Sequence, residues 1–91
     1  MIRFIEVVKN SSAFTLSEVW INENYVVSVR EAAEYRRMLT EGVMPPDLDE
    51  THSFTKVVTN NGHITESHVV VGSPATVAGR LTHGKKTLLK G

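Results

Sequence analysis

The side chains best suited to chemistry gather between residues 47 and 52, where Asp47-x-Asp49-Glu50-x-His52 sets three carboxylates beside an imidazole. Closely spaced oxygen and nitrogen donors of this kind are what a divalent cation requires. The segment lacks the glycine and the distal glutamate of a calcium loop. It also follows Pro45-Pro46 directly, so it reads first as a solvated acidic connection. His63 and His68 stand five apart; on one strand an odd spacing sends them to opposite faces, which prevents joint ligation. Ser73 precedes Pro74 as an N-cap precedes a first helical proline, whose missing N–H costs nothing there. No G-x-S-x-G frame surrounds any serine, and neither G-x-x-x-x-G-K-[ST] nor G-x-G-x-x-G occurs. With no cysteine in the chain, thiolate chemistry, disulfides and Cys-based zinc sites are excluded. We therefore expect neither a cofactor nor a catalytic set.

Charge points elsewhere. Ten Lys+Arg balance ten Asp+Glu over 91 residues, a neutral total that excludes a strongly electrostatic partner for the chain as a whole. The balance is uneven: from Ser67 onward the chain carries Arg80, Lys85, Lys86 and Lys90 and no acid. With His83 these form a candidate anion-binding set, to which Arg36 and Arg37 are added as cations on a separate element. A nucleic acid or nucleotide-like anion is the ligand class such a surface takes.

These groups must be carried by elements that the apolar periodicity defines. Ile2 to Val8 is rich in β-branched and aromatic residues and stops at Lys9-Asn10-Ser11-Ser12, so we read a strand entering a hairpin. Ala13 to Ile21 has Phe14, Leu16 and Trp20 on one parity and Val19 and Ile21 on the other, the pattern of a strand partly covered on both faces. A third strand, Tyr25 to Val29, follows the turn at Asn22-Glu23-Asn24. Between Glu31 and Glu41 the period lengthens: Ala32, Tyr35, Met38 and Leu39 share one side and Gly42 ends the run, which predicts a short helix. Residues 43–52 read as an exposed connection. Ser53 to Thr59 and His63 to Val71 flank Asn60-Asn61-Gly62, residues that tolerate the positive φ of a tight hairpin. A last helix starts at Pro74, with Val77 and Leu81 on one face. The stretch 82–91 has too little periodicity for an assignment and reads as a basic tail.

Fold class is therefore α+β: a small antiparallel β-sheet of about five strands with an inserted short helix and a C-terminal helix, in a single domain over residues 1–91. The series Ile21-Asn22-Glu23-Asn24-Tyr25-Val26-Val27-Ser28-Val29, then Thr55 to Gly62, then Val71-Gly72-Ser73-Pro74-Ala75-Thr76-Val77 resembles the FlbD-type small β-rich proteins of flagellar operons and their phage relatives. The resemblance implies a shared fold and no catalytic residues, and it makes 31–52, helix and loop, an insertion. A fainter likeness to LytTR-type DNA-binding domains lacks the basic recognition stretch, since residues 60–66 contain no Lys or Arg.

A domain of this length has a thin core and gains by association. We expect a small non-enzymatic protein–protein interaction module, a homo-oligomer that docks on a partner protein, and by the phage likeness a modulator of a host protein. Trp20, Tyr25, Val69, Val71, Leu88 and Leu89 are the candidate interface residues. The first eight residues are broken by Arg3 and Glu6, so they do not form the apolar core of a secretory signal, and a cytoplasmic protein with no membrane contact is expected.

Overall fold

Ser11 adopts a φ of 52°, the positive value a two-residue hairpin loop demands, and it turns β1 (Ile2–Asn10) back into β2 (Ala13–Ile21). The two strands pair without interruption from Asn10↔Ala13 to Ile2↔Ile21. A single 3-10 turn, Glu23–Tyr25, leads to β3 (Val26–Glu31), then α1 (Ala33–Thr40), β4 (Phe54–Asn60), β5 (Thr65–Val71) and α2 (Pro74–Lys90). The computed structural model describes residues 1–11, 13–42, 48 and 52–90, of which 83–90 are described by their backbone alone. The five strands form one antiparallel sheet in the order β2-β1-β5-β4-β3. An α+β domain is thus what these residues build.

Each face of the sheet carries its own core. Phe4, Ile21, Val57 and Val70 point to one face and are sealed there by Val77 and Leu81 of α2. Val7 and Phe54 point to the other, joined by Ala32 and flanked by Phe14, Leu16, Val69 and Val71, with Tyr35, Met38 and Leu39 of α1 above them. Tyr35 sits edge-on to Phe14 at 6.0 Å and tilted over Phe54 at 6.1 Å, a geometry that aromatic quadrupoles favour. The two parities of β2 thereby find their reason: Phe14 and Leu16 belong to the α1 side, Val19 and Ile21 to the α2 side.

The elements differ in detail from the periodicity. β3 continues through Arg30 and Glu31, α1 begins at Ala33, and Tyr25 lies in the 3-10 turn. β5 starts only at Thr65, so His63 and Ile64 lie in the turn rather than in a strand. Asn61 is responsible: its Oδ1 accepts from the N–H groups of His63 and Ile64, both at 3.0 Å, while Gly62 takes a φ of 98°. Beyond Thr82 the backbone stays helical through Lys90, where periodicity had suggested only a tail.

A buried polar anchor ties β4 to the start of α2. Thr55, fully buried, donates from Oγ1 to the Gly72 carbonyl at 2.8 Å, and the Gly72 N–H donates to the Ser53 carbonyl at 2.8 Å. Gly72 has a φ of 134°, and a Cβ there would stand 3.2 Å from Val77, so only glycine fits without strain. Phe54→Ala should cost about 3–5 kcal/mol, and Thr55→Val about 1–2 kcal/mol for the carbonyl it leaves unpaired. Urea unfolding measures both; a Phe54→Ala variant as stable as the parent contradicts the α1-side core.

Candidate functional site

Three pieces of chain carry the site: the end of β2, the 3-10 turn that follows it, and the distant β4–β5 turn. Asn22 Oδ1 accepts from the Asn24 N–H at 2.9 Å and the Asn22 carbonyl accepts from the Tyr25 N–H at 3.0 Å, the self-capping habit of asparagine. This tight turn throws the Tyr25 ring outward beside Trp20. On the opposite side the Asn61-centred turn presents Ile64. Between them lies a hollow of about 180 Å³ lined by Met1, Trp20, Tyr25, Ile64, Thr59 and His68 among others. Trp20 is 54% exposed, Tyr25 46% and Ile64 60%.

Such exposure is unusual in kind. Single surface apolar residues carry no message, but a cluster of large ones around a concavity marks a contact surface. Met1, Trp20, Tyr25 and Ile64 are four of the five large hydrophobic side chains exposed among the described residues, and all four border this hollow. On the floor, His68 Nδ1 lies 2.7 Å from Glu6 Oε2, with both side chains about one-fifth exposed. That pairing holds the imidazole in place across β1 and β5, and it supplies a polar floor beneath an apolar rim.

Of the candidate interface residues, Trp20 and Tyr25 come together here. Val69 and Val71 do not: β5 lies in the middle of the sheet and both pack in the α1-side core, with Val70 fully buried between them on the other face. The apolar run at 69–71 reflects cover on both faces and offers no open edge. Side chains of Leu88 and Leu89, and of His83, Lys85, Lys86 and Lys90, lie outside the described residues, as do Asp47, Asp49 and Glu50. His52 is partly buried.

The remaining cations are not assembled. Arg36 and Arg37 are exposed on α1, whereas Arg80 is on α2, which covers the opposite face. Arg80 is also engaged within the chain: its Nη2 donates to the Arg3 carbonyl at 2.6 Å and its guanidinium lies 4.4 Å over the Phe4 ring, a cation–π contact. Ser73 caps α2, its Oγ accepting from the Thr76 N–H at 3.2 Å. Among the described residues no group of three His, Asp or Glu side chains converges as a metal site, and no helix is long and apolar enough to cross a membrane.

Periodicity misses Ile64 because, flanked by polar His63 and Thr65, it reads as one residue of a strand from His63 to Val71; only the hydrogen-bonding reach of Asn61 shows that the turn captures it. Comparison with protein-family models, with curated proteins and with solved structures finds no match.

Trp20 is the chain's single tryptophan, so its fluorescence reports on this site alone. In dilute solution, where single chains prevail, the native protein should show red-shifted emission that acrylamide quenches readily; blue emission resistant to quencher under those conditions contradicts a half-exposed indole.

Proposed function

We propose that this chain is a small, non-enzymatic protein-interaction module whose contact surface is the rim formed by Trp20, Tyr25 and Ile64. The convergence of these exposed apolar side chains around one concavity carries the reading. Tyr and Trp are the residues that most often dominate binding energy, because each buries a large area while losing few rotamers. Size separates a protein ligand from a small one. Pockets for drug-sized molecules run from about 300 to 1,000 Å³. The present hollow of about 180 Å³ accommodates one protruding side chain of a partner.

The polar floor fits the same purpose. A rim that is apolar and a base that holds His68, paired with Glu6, let one side chain with an apolar stem and a polar tip seat fully. The protein acts by docking on a partner, and the phage likeness suggests that this partner is a host protein.

Tyr25→Ala and Ile64→Ser should each leave the fold intact, since neither side chain belongs to either core, and each should weaken partner binding about tenfold or more. Photo-crosslinking from position 64 captures the partner, and titration of the purified pair measures the loss. Equal affinity for the parent and the double variant would remove the rim as the contact surface.

A further inference from the structure

The two outer strands of the sheet are built in opposite ways. β3 is six residues long, its pairing with β4 shifts register between Val26 and Ser28, and it ends in Arg30 and Glu31. Shortness, a register break and charge are the devices by which proteins blunt an edge against further pairing. β2 has none of them. It runs for nine residues without a register shift, contains neither proline nor lysine, and carries one ionisable group, Glu18.

The hairpin geometry says which of its backbone groups are free. A two-residue loop makes Asn10↔Ala13 the closing hydrogen-bonded pair, so Ala13, Thr15, Ser17, Val19 and Ile21 turn their N–H and C=O groups toward β1. Those of Phe14, Leu16, Glu18 and Trp20 point away. Among the described residues no strand lies on that side, and the Glu18 carbonyl is met only by the Ser17 hydroxyl at 3.5 Å, longer than a normal bond of that type.

Resting on the reading of this chain as an interaction module, we propose that β2 pairs with β2 of a second copy, antiparallel about a two-fold axis through Ser17. This register is the one in which the strand is complementary to itself along its whole length. It sets Leu16 opposite Glu18 and Phe14 opposite Trp20, all four contributing outward backbone groups, so every free donor meets an acceptor. Thr15 then opposes Val19 and Ala13 opposes Ile21. An axis at residue 18 would instead set Glu18 against Glu18 of the other copy, which is unfavourable. In the Ser17 register the two Glu18 carboxylates are diagonal, and each is already paired with Arg3 of its own chain. Half-exposed Trp20 and partly exposed Phe14 and Leu16 supply the apolar area that a strand pair alone lacks. Symmetric strand addition therefore joins two sheets into one continuous sheet.

Two variants test the pairing without breaking the monomer. Glu18→Pro removes an N–H that points away from β1, where an edge strand tolerates proline. Ser17→Lys faces Glu6 of its own chain but places two lysines against each other across the axis. Sedimentation equilibrium should find the parent dimeric at about 50 μM and each variant weakened about 100-fold or more. Hydrogen exchange on the parent should show the Leu16 and Glu18 amides gaining protection as concentration rises. A parent that stays monomeric, or dimers in which those amides remain unprotected, or dimers indifferent to both variants, would overturn the proposal. None of these results bears on the Tyr25 and Ile64 variants, so failure at the edge and failure at the rim are told apart.

Discussion

Everything in this fold follows from the shortness of one connection. β2 and β3 are the two outer strands, and four inter-strand steps of about 4.8 Å place the edges of a flat sheet about 19 Å apart. Only residues 22–25 join Ile21 to Val26. Even fully extended they would fall just short of that distance, and their 3-10 winding shortens them to well under it. The sheet has to coil until its outer strands approach at one corner. Ile21 and Val26 accordingly share the α2-side core with Val29 and Leu81, and the direction of coiling is the one strand twist already favours.

Coiling explains why residues far apart in register border one hollow. Trp20 is opposite Arg3 near the start of β1, whereas Ile64 lies beyond the far end of β5; on a flat sheet they would be about 30 Å apart. Both border the same hollow. At the seam where the sheet nearly closes, α2 packs against the 3-10 turn and β3, but no residue of α1 or α2 lines the hollow, so the large apolar side chains around it stay exposed. A domain with so small a core covers both faces of its sheet incompletely, and four of its exposed large apolar side chains gather in the uncovered remainder.

Much of the architecture was legible in the residues because local signals agreed. The parity switch in β2 announced cover on both faces, Ser73-Pro74 announced the start of α2, and Tyr35, Met38 and Leu39 announced the face of α1. Trp20 and Tyr25 stand out by type, and both border the hollow. Val69 and Val71 were misplaced because an apolar run looks the same at an open edge and in a central strand, and strand order is a property of the whole chain. Ile64 was hidden because its alternation is that of a strand, while one asparagine side chain decides that it lies in a turn. Arg80 on α2 lies across the sheet from Arg36 and Arg37 on α1, a separation that spacing along the chain cannot reveal.

The coiled seam is tested most directly by proximity in solution. The chain has no cysteine and one tryptophan, so a nitroxide on a His63→Cys variant acts on a single, unmistakable indole N–H resonance. His63 is exposed in the turn next to Ile64. The coiled sheet predicts that the Trp20 indole signal is broadened away in the oxidised sample, at high dilution as well as low, and returns on reduction of the label. An indole signal at full intensity beside the oxidised label would mean an open sheet, and with it the loss of the rim on which the functional reading stands.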